Sequence, residues 1–168
     1  VFFCTRNGVI KKTPLKEYSR PRQNGVNAIT IREGDELLDA LLTDGNMEMI
    51  LASKDGRAIR FNESKVRSMG RTAAGVTGMD LGDDPDNGIV GIVSVDQNSE
   101  ENQSILVVSE KGFGKRTYID DPEDGEAIYR VTNRGGKGVK TINISEKTGD
   151  LISILNVVEG NHLMIINK

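Results

Sequence analysis

The apolar positions of this chain fall in short runs, and the runs recur with the same punctuation. Met49-Ile50-Leu51-Ala52 is continuous and apolar, an Asp55-Gly56 turn follows, and a basic strand comes next, Arg57-Ala58-Ile59-Arg60-Phe61. A polar loop through Lys65, Arg67 and Arg71 leads to Gly75-Val76, with apolar residues at Met79 and Leu81. Ile89-Val90-Gly91-Ile92-Val93 closes the unit. Short apolar runs bounded by glycine turns predict strands. The same cassette opens the chain: Val1-Phe2-Phe3-Cys4, an Asn7-Gly8 turn, Val9 to Thr13, then a loop through Lys16, Arg20, Pro21 and Arg22. Gly25-Val26 starts a strand with Ile29 and Ile31 in register, Gly34-Asp35 turns, and Leu37 to Leu42 closes as a buried strand. A third unit runs from Ser104-Ile105-Leu106-Val107-Val108 through Lys111-Gly112 and the basic strand Phe113 to Thr117. Gly138-Val139 follows, with Ile142 and Ile144, and Leu151 to Leu155 closes it. His162 to Ile166 begins a fourth.

The turn glycines Gly8, Gly56 and Gly112 are 48 and 56 residues apart. Self-similarity at that period is the signature of a propeller or a similar array. The repeats are bounded at 1–47, 48–103 and 104–161, with the start of a fourth at 162–168. The extra length of the third lies between Ile119 and Arg130, an acidic insert predicted as a surface loop. Asn7-Gly8 predicts a type I′ turn, whose two central residues both take positive φ. Thr13 to Tyr18 predicts one short helical turn with Pro14 near its start. The expected fold is all-β, with three four-stranded blades and no helix longer than about two turns. The two ends of such an array expose strand edges able to pair with another copy.

Composition adds boundaries. Apolar residues make up 36% of the 168, Trp is absent, and the core rests on Val, Ile and Leu. Nineteen glycines against four prolines fit many tight turns. The single Cys4 has no internal disulfide partner, which favours an intracellular, cytoplasmic setting. No apolar run is long enough to span a membrane, and Val1 to Arg6 lacks the form of a signal peptide. The absence of an initiator Met suggests a piece of a longer chain.

The net charge of −3 conceals a pattern. Val1 to Gly25 holds six basic residues and one acidic, whereas Met79 to Ser104 holds seven acidic and none basic. The fourth position after each turn glycine is basic: Lys12, Arg60 and Arg116. An arginine precedes each Gly-Val pair by three or four residues: Arg22, Arg71 and Arg134. In a circular array equivalent positions share a rim, and a segregated basic edge is an electrostatic footprint for phosphate. Charge on strands and loops also serves simply to solvate a face, but solubility does not require a periodic edge. The expected phosphate-contacting set is Lys11, Lys12, Arg20, Arg22, Arg57, Arg60, Arg67, Arg71, Lys115, Arg116, Arg134, Lys137 and Lys140. Asn133-Arg134-Gly135-Gly136-Lys137-Gly138 reads either as a flexible surface loop or as a turn whose bare backbone amides approach an anion.

On these residues the chain resembles the C-terminal domain of DNA gyrase A. The Arg134 to Gly138 stretch is similar to that family's Gln-Arg-Arg-Gly-Gly-Lys-Gly box, and Gly114-Lys115-Arg116-Thr117 and Arg57 to Arg71 are similar to its blades. The box of the family usually lies in its first blade and begins with a basic residue, where this chain has Asn133 in a third repeat. The resemblance implies a β-pinwheel, a propeller-like disc in which neighbouring blades exchange strands, with about three of six blades present. It implies a rim that binds and wraps double-stranded DNA. Further implications are a place beside the rest of gyrase A and beside gyrase B in a heterotetramer, ATP and Mg2+ use confined to the whole enzyme, and a bacterial, nucleoid-associated location. The related C-terminal domain of topoisomerase IV is the near alternative, and a propeller-like protein-interaction scaffold is the alternative without nucleic acid.

No catalytic constellation is legible. His162 borders an apolar run, and one His with one Cys makes no ordinary zinc site. Gly112 to Thr117 fails as a P-loop because Ser109 stands where the first glycine belongs. Asp83 to Gly88 fails as a calcium loop because Pro85 and Ser94 occupy ligand places. Tyr129-Arg130 reverses the Arg-Tyr order with which type II topoisomerases cleave DNA. Cleavage and ATP hydrolysis are therefore expected outside this chain, and no cofactor is expected within it.

Overall fold

The computed structural model describes residues 1–166. Among the described residues eleven strands form three antiparallel sheets: β1 (Phe2–Thr5), β2 (Val9–Lys12), β3 (Leu37–Leu41), β4 (Glu48–Ser53), β5 (Arg57–Asn62), β6 (Val76–Thr77), β7 (Ile89–Val95), β8 (Ser104–Ser109), β9 (Gly114–Tyr118), β10 (Val139–Lys140) and β11 (Leu151–Val157). The first sheet has the order β3-β1-β2-β6, the second β10-β5-β4-β7, and the third β11-β8-β9. Helix is limited, among the described residues, to two 3₁₀ turns, Leu15–Tyr18 behind Pro14 and Glu63–Lys65 capped by Asn62. Among the described residues no helix is long and apolar enough to cross a membrane.

Each of the first two sheets takes its fourth strand from the following repeat. Val76 pairs with Ile10, and Val139 pairs with Ala58, in the same register relative to the turn glycine. The β-pinwheel expectation of strands exchanged between blades is met in both. The third sheet has three strands among the described residues, not the expected four. Gly25-Val26, expected to begin a strand, forms none, and neither does His162 to Ile166. A strand exists only where a neighbouring ladder satisfies its amides, and among the described residues no ladder lies beside these two segments. The fourth repeat's last two positions, 167 and 168, lie outside the described residues.

The closing strands β3, β7 and β11 meet at an inner hub, where β7 lies against both β3 and β11. The basic strands stand third from the hub, and the exchanged strands β6 and β10 form the rim. Two cores lie between the sheets. Phe2, Ile10, Met49, Leu51, Phe61 and Met79 fill the first, and Ile50, Ala52, Ile105, Val107, Tyr129 and Ile154 the second. Strand side chains alternate between faces, so β4 sends Met49 and Leu51 one way and Ile50 and Ala52 the other. That double burial explains the unbroken apolar run at Met49 to Ala52. By contrast β3, expected to be buried, exposes Leu37, and among the described residues no further sheet covers its outer side.

The hairpin turns differ from the expectation in one respect. The Gly8 amide donates to Thr5 O, that of Gly56 to Ser53 O, and that of Gly112 to Ser109 O. Only the glycines take positive φ, at 79°, 81° and 82°, and Asn7 does not. The turn therefore ends at the glycine, in the manner of a three-residue loop with a left-handed final position, and is not type I′.

Candidate nucleic-acid interface

The polar loops that follow the basic strands carry many of the exposed cations. Arg20 and Arg22 lie on the first, Lys65 and Arg67 on the second, and Arg130 and Lys137 on the third, all exposed. Lys140 is exposed on β10, and Lys115 on β9. The acidic run Asp80 to Asp86 instead occupies the connection from β6 back toward the hub strand β7. The run Asp80 to Asp86 thus lies behind the rim strand β6, whereas the acidic insert Asp120 to Glu126 shares the third loop with Arg130 and Lys137. Of these cations, Lys65 and Arg130 lie outside the sequence-derived set. Their signal is loop position between the repeated elements, not recurrence.

Recurrence marks a structural role for much of that set. Arg60 is 6% exposed. Its guanidinium donates to Asp120 at 2.6 and 3.1 Å, to Tyr129 O at 2.9 Å, and to Glu48. Burial pulls its pKa down, but the hydrogen bonds and charges of Asp120 and Glu48 outweigh that and raise it. Arg60 is therefore no phosphate ligand; it joins the second repeat to the third. Lys12 does the same one repeat earlier, donating to Glu63 O at 2.8 Å, with its ammonium 3.8 Å from the buried Glu63 carboxylate. Arg116 is exposed but paired with Glu159 at 3.0 Å, and that bond and charge raise its pKa. The position four after the turn glycine is thus a basic anchor in the first two repeats, which corrects its assignment to a phosphate-binding rim. Lys11 is corrected likewise. It is fully buried beneath Phe3, with its ammonium 5.4 Å from that ring, and donates to Ala28 O at 2.6 Å and to Arg71 O. Desolvation and the nearby Arg71 charge lower its pKa.

The arginines ahead of the Gly-Val pairs occupy a second recurring geometry. Arg71 donates to Asn27 O at 3.2 Å, and Arg134 donates to Thr77 O at 2.9 Å. Each acceptor is the second residue after the glycine of the previous repeat. Arg57 similarly donates to Lys137 O at 3.1 Å and Gly138 O at 3.2 Å. All three remain half-exposed. A guanidinium has five N–H donors, so a side chain fixed by one or two carbonyls still presents its charge and free donors outward.

The glycine-rich loop proves to be joinery in part. Gly135 donates to Gly78 O at 2.6 Å, and Gly136 O accepts from Asp80 at 3.0 Å. Gly138 takes φ 69°, and a Cβ there would lie 2.2 Å from Ala58 O. Glycine is needed at 138 because the rim strand crosses the basic strand at backbone contact. The Gly135 amide is committed and does not face a free anion. Arg130, Asn133, Lys137 and Gly138, with Ala58 and Ile59, line an open cleft of about 290 Å³.

Comparison with known proteins agrees with this architecture. The family model described as DNA gyrase C-terminal domain, beta-propeller, matches residues 1–44, 48–96, 103–121 and 129–157. DNA gyrase A of Staphylococcus epidermidis is 40% identical over 166 residues, covering 99% of this chain and 17% of that protein. A solved DNA gyrase A C-terminal domain is similar with a TM-score of 0.72 at 27% identity, over 93% of this chain and 48% of that one. The C-terminal domain of DNA topoisomerase IV is similar with a TM-score of 0.64 at 26% identity, over 94% of this chain and 61% of that one.

Proposed function

The chain belongs to the DNA gyrase C-terminal domain family, and from that premise we propose that it is a non-catalytic surface for binding and bending double-stranded DNA within gyrase A. The observation that carries the reading is the exposed cation set on the loops and rim: Arg20, Arg22, Arg67, Lys137 and Lys140, together with the half-exposed Arg57, Arg71 and Arg134 and with Lys115, which donates to Thr141 O at 3.3 Å. These side chains suit phosphates, which position a duplex without reading its sequence. The curated relative at 40% identity favours gyrase over topoisomerase IV.

In the whole enzyme this surface would hold a DNA segment for passage and so support ATP-dependent negative supercoiling. The cleaving tyrosine and the ATP- and Mg2+-using parts would lie elsewhere, in the rest of gyrase A and in the gyrase B protein of a heterotetramer, in the bacterial cytoplasm at the nucleoid. The test is fluorescence anisotropy of labelled duplexes of unrelated sequence, titrated at graded salt. Similar affinities that fall steeply with salt support the reading. Salt-independent binding, or none at low salt, refutes it.

A further inference from the structure

Arg71 and Arg134, the arginines ahead of the second and third Gly-Val pairs, are each tied down twice, and the second tie differs between them. Arg134 donates to Thr77 O, and the amide of the residue after it, Gly135, donates to the next carbonyl along, Gly78 O, at 2.6 Å. Arg71 donates in the same way to Asn27 O. The segments beside them keep one register: Thr30 donates to Ala73 O at 3.3 Å, as Asp80 does to Gly136 O at 3.0 Å. The counterpart of Gly78 O is therefore Ala28 O. It accepts from the Lys11 ammonium at 2.6 Å and from the Tyr18 hydroxyl at 3.0 Å. The same ammonium also donates to Arg71 O.

Lys11 stands three residues after its turn glycine, where the second repeat has Ile59 and the third has Lys115. Lys115 donates to Thr141 O at 3.3 Å, again the third residue after the glycine of its own Gly-Val pair. A lysine here reaches that carbonyl, whereas with Ile59 in place the Gly135 amide takes it. An ammonium has three donors. Lys11 directs two to Ala28 O and Arg71 O and sets its charge 5.4 Å from the Phe3 ring. The result is a closed ring. It runs from Lys11 to Arg71 O, from the Arg71 guanidinium to Asn27 O, and through Ala28 O back to Lys11. Like charges repel, so the ammonium beneath also disfavours an inward turn of the guanidinium. Desolvation first, and then that same repulsion, lowers the Lys11 pKa.

We propose that the buried Lys11 is a positioning residue for duplex binding, which without meeting DNA sets the Arg71 guanidinium outward toward a phosphate. The proposal rests on the DNA-binding reading given above and assigns Lys11 and the Gly135 amide the same task in successive repeats.

The test is the salt dependence of duplex binding by the purified chain and its variants, read by fluorescence anisotropy. Lys11→Ile is the chosen change because the second repeat carries Ile59 at the equivalent position, and circular dichroism checks that it folds. Arg71→Ala should flatten the slope of log K against log salt by about 0.9, the share of one phosphate. Lys11→Ile should flatten it by the same amount. The double variant Lys11→Ile with Arg71→Ala should be no flatter than either alone. Lys11→Ile with Arg134→Ala should lose about two contacts, since Arg134 is tied by other groups. A folded Lys11→Ile chain with the wild-type slope overturns the proposal. So does a Lys11 effect that persists in full when Arg71 is already Ala, because a purely structural lysine would act through no particular arginine. Should Lys11→Ile fail to fold, Lys11→Met carries the same comparison, and failure of both places Lys11 in the core and overturns its positioning role. A wild-type chain that binds no duplex refutes the DNA-binding reading itself, a result distinct from binding with an unmoved Lys11→Ile slope.

Discussion

A basic side chain on this molecule is defined less by its charge than by what has replaced its water. Arg60 lies on a strand covered on both faces, so it satisfies its donors on Glu48, Asp120 and Tyr129 O. Replacing Arg60 with Ala would leave the Glu48 carboxylate buried at 4% exposure without its partner. The expected cost is about 3–5 kcal/mol of unfolding free energy, read from denaturant titration. Cys4 shows the opposite way of satisfying burial, by staying neutral. Desolvation first, then the charges of Asp35 and Asp39, raise its thiol from 9.0 to about 12. The unfolded chain gives up this proton near its ordinary pKa while the native chain keeps it. Its contribution is therefore complete below that value and is lost as pH rises toward the folded one. The stability advantage of wild type over Cys4→Ala should shrink by about 1.4 kcal/mol per pH unit across that window. An advantage constant between about pH 8 and 11 would show that the thiol ionises without unfolding.

At the scale of elements, the exchanged strands are only two residues long in regular pairing, so their hold depends on close backbone approach. Gly138→Ala places a methyl 2.2 Å from Ala58 O. It should cost about 2–3 kcal/mol, near the top of the ordinary range for a single substitution. Gly25→Ala meets no neighbour and should cost only the left-handed strain, about 1 kcal/mol. Equal losses in thermal or denaturant unfolding would mean that the exchange is not what stabilises the rim. The sequence made the elements themselves legible, since turn glycines, apolar runs and the Gly-Val pairs are local features. It did not reveal which blade each Gly-Val strand completes, because β6 reaches back to β2 and β10 to β5 across long connections. The recurrence of Lys12 and Arg60 is equally visible, but its meaning is not. Periodicity says that positions share an environment, and the acids that bury these two, Glu63 and Asp120, follow the basic strand of the next repeat. The exposed loop cations recur less regularly, so periodicity points to only part of them.

At the scale of the whole molecule, the proposed DNA surface is a line of separate loop and rim cations rather than one dense patch. Bending a duplex along it costs on the order of a few kcal/mol, so several weak contacts must act together. Each phosphate neutralised contributes about −0.9 to the slope of log K against log salt. Arg67 and Lys140 lie on different repeats, one on a loop and the other on a rim strand, and both are exposed. Reversing both, Arg67→Glu with Lys140→Glu, should weaken binding at every sequence tested and flatten the slope by about two contacts. Lys54 makes the control, because it pairs with Asp150 at 3.2 Å near the hub. Lys54→Glu changes the net charge in the same direction, half as far, and should barely move the slope. Were the hub change to flatten the slope as much per charge as the rim pair, the attraction would follow total charge rather than place. The outward arrangement of Arg67, Lys137 and Lys140 would then serve solvation, and a DNA path along the rim would lose its physical basis.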